Sequence, residues 1–166
     1  MIFSKERDLR LVTVRRGGTL SDHDHQLMAL WAAECTEHVL AFFEQVRPDD
    51  DRPRTAVEMA RGWVRGEVKM MKARDAAFAA NAAAREVTGP AREAAHSAGQ
   101  AGAVPHVAAH DLGAAAYAIR AARAAGGDEA GRRERDWQRS RLPAEIRELV
   151  LDDQRLRNEV CWSVFG

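Results

Sequence analysis

Residues 104–125, VPHVAAHDLGAAAYAIRAARAA, set the fold of this chain. Drawn as a helix at about 100° per residue, they place His106, His110, Gly113 and Tyr117 on one stripe and Ala108, Leu112, Ala115 and Ile119 on the far side. Only Asp111 interrupts this pattern before Arg120. A helix that is apolar or small nearly all the way round is a central one, wrapped by others. The spacing therefore predicts an all-α protein, a bundle of about five or six helices packed around this segment.

Working back, Gly102 to Pro105 leaves room only for an antiparallel hairpin to the Ala-rich stretch 91–103, which puts His96 roughly level with His110. Residues 72–87 are again alanine-rich, with Arg74, Phe78, Asn81 and Arg85 on one stripe. Alanine combines high helix propensity with close backbone approach. A further helix is expected over 54–71, with Pro53 at its start and Ala56, Met59, Ala60, Trp63, Val64 and Met70 on its apolar side. Ser21, with Asp24 three residues on, is close to a capping box and predicts a helix to about Gln45. Its apolar arc holds Leu27, Met28, Trp31, Cys35, Val39 and Phe42, with His38 inside the arc and Glu34 at its edge. Residues 1–20 read as a short extended N-terminal arm turned at Gly17-Gly18. Working forward, residues 126–142 lose their apolar periodicity and read as a flexible loop. A last helix begins near Pro143, and the chain ends in CWSVFG, whose Trp162 and Phe165 should dock on the bundle or on a second copy in a homodimer.

At 166 residues the chain has the length of one domain with a real core. Its 25 basic and 25 acidic side chains cancel, so the charge excess that nucleic acid or an anionic membrane would reward is missing. Cys35 and Cys161 stand in no metal-ligand spacing. With no signal-peptide pattern and no apolar run near 18 residues, the reading is a reduced, cytoplasmic protein.

Two sites can be drawn from these residues. His106 and His110 repeat the i, i+4 spacing that holds one metal ion, with His96 as a third candidate ligand for a divalent metal such as zinc. Val107 stands where a zinc protease needs glutamate, and no cofactor is called for. The other site is a pocket between helices lined by Trp31, His38, Trp63, Glu67, His96, His106, His110 and Tyr117. In an enzyme, Glu67, His38, His110 and Tyr117 would carry the proton transfers, because imidazole titrates near neutral pH and a carboxylate on an apolar face has its pKa raised. Internally bonded structural use of the same residues is the reading that the spacing favours over either site.

The segments LRLVTVRRGGTLSDHDH, LMALWAAECTEHVL, DDRPRTAVEMARGWVRGE, HVAAHDLGAAAYA and LPAEIRELVLDDQRLRNEVCWSVF together resemble a family of small all-helical bacterial immunity proteins, similar to those of polymorphic toxin systems. The resemblance covers nearly the whole chain. It implies a cytoplasmic protein that binds a cognate toxin and blocks it without turnover, and it brings no catalytic set. Asn81 departs from it, standing where many relatives have histidine. For a partner surface, the run Asp49, Asp50 and Asp51 near Glu44 is the acidic candidate, because immunity proteins often set acidic side chains over a basic cleft.

Overall fold

In a computed structural model that describes residues 6–166, the chain is helical throughout its regular structure, with seven α-helices and no strand among the described residues. The helices are α1 (Asp22–Val39), α2 (Ala41–Glu44), α3 (Arg52–Val64), α4 (Met70–Ala84), α5 (Gly89–Ala103), α6 (Asp111–Ser140) and α7 (Ala144–Leu156). Ser21 caps α1 as its sequence predicts, its hydroxyl accepting from the Asp24 amide at 3.0 Å.

The hairpin of α5 and the first half of α6 is the centre. Leu112, Ala114, Ala115, Ala116, Ala118, Ile119 and Ala121 of α6 are buried, and α5 packs on α1, α2, α3, α4 and α6. Small residues make this possible: a Cβ on Gly102 would lie 3.1 Å from that of Ala77 and 3.2 Å from that of Ala56, so α3 and α4 press directly on the α5 backbone. A short polar chain ties three helices: the Thr36 hydroxyl meets that of Ser97 at 2.8 Å, and Ser97 donates to the Ala114 carbonyl at 2.8 Å. Larger side chains, led by Trp31, Met28, Leu112, Ile119 and Ile146, fill the space between α1, α6 and α7.

Four sequence expectations are corrected. First, the predicted loop at 126–142 is the second half of α6, bent at Gly127 (φ 84, ψ −175). It packs through Gly131, Glu134 and Gln138, spaced for one helical face but small or polar, so the stripe carries no hydrophobic signal. Polar bonds replace apolar burial there: the Trp31 indole donates to the Gln138 carbonyl at 2.9 Å, and the Gln138 amide donates to the Ala115 carbonyl at 3.1 Å. Second, the first helix breaks at Leu40 instead of running to Gln45. Third, α3 stops at Val64 because Gly66 takes a positive φ of 77°, so residues 65–69 form a turn. Fourth, over its described residues 6–20 the arm is not extended, residues 1–5 of that expectation lying outside the described residues. Leu9–Leu11 and Val14–Arg16 are single 3₁₀ turns, the first started by Asp8 capping the Arg10 amide, and among the described residues only Thr13 and Leu20 pair, as an isolated bridge.

The arm still lies on the bundle, with Leu11, Val12 and Leu20 buried. Its fit depends on Gly18, where a Cβ would stand 2.0 Å from the Val12 carbonyl oxygen and 2.5 Å from that of Leu9. Gly18→Ala is expected to lift this turn and cost about 1–3 kcal/mol, measurable as a lowered midpoint of thermal unfolding and faster proteolysis within the first twenty residues. An unchanged midpoint and cleavage pattern would show that the arm contributes nothing to stability.

The tail docks on its own bundle. Cys161, Val164 and Phe165 are buried, and both cysteines are free thiols in the core. Residues after α7 are held by Asn158, whose side-chain carbonyl accepts from the Phe165 amide at 2.9 Å, and by Arg139, which donates to the Phe165 carbonyl at 2.6 Å.

Candidate functional site

The residues singled out in the sequence separate into four places. The first lies at the start of α6. Arg157 donates to both carboxylate oxygens of Asp153, at 2.7 Å through Nε, and to the Ala109 carbonyl at 3.1 Å, with Asp111 3.8 Å away. All three side chains are buried. Among the described residues one cation thus faces two carboxylates, and burial, with the charge of Asp153 added, pushes Asp111 up to about 7 against the pull of Arg157. Beside it, His110 donates through Nδ1 to the Gln100 side-chain carbonyl at 2.9 Å, and burial, helped by His106 and Arg157, pushes the imidazole down to about 4. A cavity of about 600 Å³ opens on this cluster, between Asp153, Leu156, Arg157, Val107 and Leu11.

The second place is where the arm crosses α1 and the end of α3. His25, buried, donates through Nε2 to the Val104 carbonyl at 2.7 Å and lies 4.7 Å from the Trp63 ring. Burial lowers its pKa, so the ring is neutral at pH 7. Arg16 reaches over to donate to the His106 carbonyl at 2.8 Å. These side chains wall a cavity of about 410 Å³ with Arg7, Arg15 and Met70. Sequence reasoning passed over His25. Its position one turn into α1, three residues before the core residue Met28, was the signal available.

The third place joins α4, α5, α6 and the tail. His96 donates through Nδ1 to the Asn81 side-chain oxygen at 3.2 Å and stacks on Tyr117 with ring centres 5.0 Å apart. Tyr117 meets Trp162 at 5.0 Å, and the Arg120 guanidinium lies over the Trp162 ring at 4.1 Å. Burial and the guanidinium groups of Arg92, Arg85 and Arg120 lower the pKa of His96. Asn81 fills the space over Gly99, where a Cβ would stand 2.2 Å from its Oδ1.

The fourth place is the junction of α1 with the far end of α6. His38 is 43% exposed, stacks on Trp137 at 3.6 Å and donates to the buried Glu134 at 2.7 Å. The wheel put His38 in the apolar arc because it could not show that the facing helix carries polar side chains. Trp31 is sealed in the core next door.

The expected shared pocket is therefore not assembled. His110 bonds to Gln100 and His96 to Asn81, and Glu67 lies in the turn after α3, 61% exposed and 3.0 Å from Arg65. The helix ended one turn too early to carry Glu67 onto its apolar face. Of the pocket residues named from sequence, Trp63 and His106 share the arm cavity, and His96 and Tyr117 share the tail surface. Among the described residues no group of three or more His, Cys, Asp or Glu is placed to hold a metal ion. No helix among them is long and apolar enough to cross a membrane.

The acidic run is partly neutralised. Asp50 is bonded by Arg52, at 2.7 Å from Nη2, and Glu44 is held by two bonds of 2.6 Å from Arg54, while Asp49 and Asp51 stay exposed.

No curated protein and no solved structure matches the chain. A family described as Imm-5 like putative immunity protein matches residues 18–145, which takes in α1 through α6 and every histidine described above. Over that span, more than half of its length, the chain belongs to this immunity protein family.

Proposed function

We propose that the protein neutralises a cognate bacterial toxin by binding it, without turnover of its own. The observation that carries this reading is the dispersal of the reactive side chains. The imidazoles of His25, His38, His96 and His110 each give a ring N–H to a partner inside the fold, and they do so in four different places. General acid and base groups must converge within hydrogen-bond reach of one reacting centre, whereas a binder asks only for a rigid surface. Membership of an immunity family supports the same reading. The toxin domain encoded beside this gene, co-expressed with the protein, should co-elute with it from a sizing column and lose its growth inhibition, with a Kd of nanomolar order. A purified pair that stays apart would overturn the proposal.

The arm cavity favours a second reading, a small-molecule binder, because Trp63, His25 and His106 line a space of ligand size. A thermal shift produced by candidate ligands and removed by Trp63→Ala would support it.

A further inference from the structure

The tail presents Trp162 to solvent in a way that ordinary chain ends do not. Trp162 is 40% exposed although Cys161, Val164 and Phe165 of the same tail are buried. Its exposure is therefore built in, not the result of fraying. The backbone is also held in an uncommon form: Trp162 and Ser163 both take positive φ, 57° and 55°. Bulky side chains rarely adopt this conformation, and strain that the surroundings maintain clusters at functional surfaces. Were burial of the indole the only purpose, a relaxed backbone folding the ring inward would cost less.

What surrounds the ring fits a protein interface. Tyr117 and the Arg120 guanidinium flank it, and Val160 adds a second exposed apolar side chain. Trp, Tyr and Arg are the residue types that dominate interface energetics. Arg85 and Arg92 are exposed, and their charges act on His96, whose ring stacks on Tyr117. Arg120 and Glu93 offset each other at 3.0 Å, and Glu159, exposed three residues before Trp162, is the other nearby carboxylate, so the exposed arginines 85 and 92 carry the rim's positive charge. The patch is thus an aromatic centre with a positive rim.

Resting on the neutralisation reading, we propose that Trp162, Tyr117 and the arginines 85, 92 and 120 form the toxin-binding surface, and that they take an acidic segment of the toxin. The charge of the rim selects the occupant. A second copy of this chain joined through a two-fold axis would set arginine against arginine. The acidic run at Asp49 to Asp51 is then not the main contact, since Arg52 already offsets Asp50.

The test is binding kinetics of the adjacent toxin domain on immobilised full-length protein at about 50 and about 300 mM salt. Trp162→Ala should speed dissociation by about 30-fold or more. Arg85→Glu with Arg92→Glu should slow association by about tenfold at low salt and little at high salt. Asp49→Ala with Asp51→Ala should bind as wild type. Thermal unfolding of each variant, and Trp162→Phe as a milder change, separate lost contact from lost fold. Toxin bound equally by every variant overturns this surface and leaves neutralisation standing. Toxin not bound by the wild type sinks both. A wild-type dimer that Trp162→Ala makes monomeric, or a single-stranded oligothymidine that binds through the same residues, also overturns the proposal.

Discussion

Arg157→Met is expected to lower the unfolding free energy by about 3–5 kcal/mol, the range for removing one partner of a buried ion pair. The side chain is only 5% exposed, and it satisfies Asp153 through two nitrogens and the Ala109 carbonyl through two. Methionine keeps much of the volume but leaves Asp111 and Asp153 buried together with no cation against them among the described residues. The turn before α6 would also lose its tie to the C-terminal segment. The measurement is equilibrium denaturation at pH 7. Adding Asp111→Asn and Asp153→Asn should recover a good part of the loss, because the penalty belongs to the stranded charges. A single substitution that costs less than about 1 kcal/mol would show that the cluster is solvated and the buried-ion account wrong.

The second large effect is a pair of opposite pH dependences in adjacent residues. His110 titrates at about 4 in the fold against 6.5 ordinarily. As pH falls through that window the unfolded chain takes up the proton first, so stability present above 6.5 is lost toward 4, by about 3 kcal/mol at full size. Asp111 runs the other way. Its folded value is about 7 against 3.8, so the fold takes up the proton first and stability is gained as pH falls from 7 toward 3.8. The lowered values of His25, His96 and His106 add to the direction of His110, and the raised value of Glu134 adds to that of Asp111. Relative to wild type, Asp111→Asn should therefore lose about 2–3 kcal/mol more between about pH 7.5 and about pH 4.5, and His110→Gln about 2–3 kcal/mol less. Denaturation curves taken across that range check both; parallel pH profiles for all three proteins would refute the assignment.

The two effects come from one place, and the sequence showed only part of it. Asp111 was visible as the lone charge in an apolar helix and His110 as half of an i, i+4 pair. Their partners were not visible. Arg157 is 46 residues beyond Asp111 and reads as one more arginine in a charged helix. Gln100 faces His110 because the α5 to α6 connection includes the 3₁₀ turn Ala108–His110, which shifts the register that a simple hairpin count assumes. That shift is why His96 meets Asn81 and Tyr117 instead of His110.

The alanine runs, the breakers at Gly89-Pro90 and Pro143, and the Ser21 cap by themselves determined an all-helical chain with a central hairpin, because helix propensity, capping and apolar periodicity act over a few residues at a time. The family resemblance was likewise readable from contiguous segments. The tertiary structure alone decided that 126–140 is helix, that Glu67 faces water, and that Trp162 is held outward beside Arg120. In each case the deciding contact is a polar or strained one between residues distant in sequence, and such contacts leave no period in the chain.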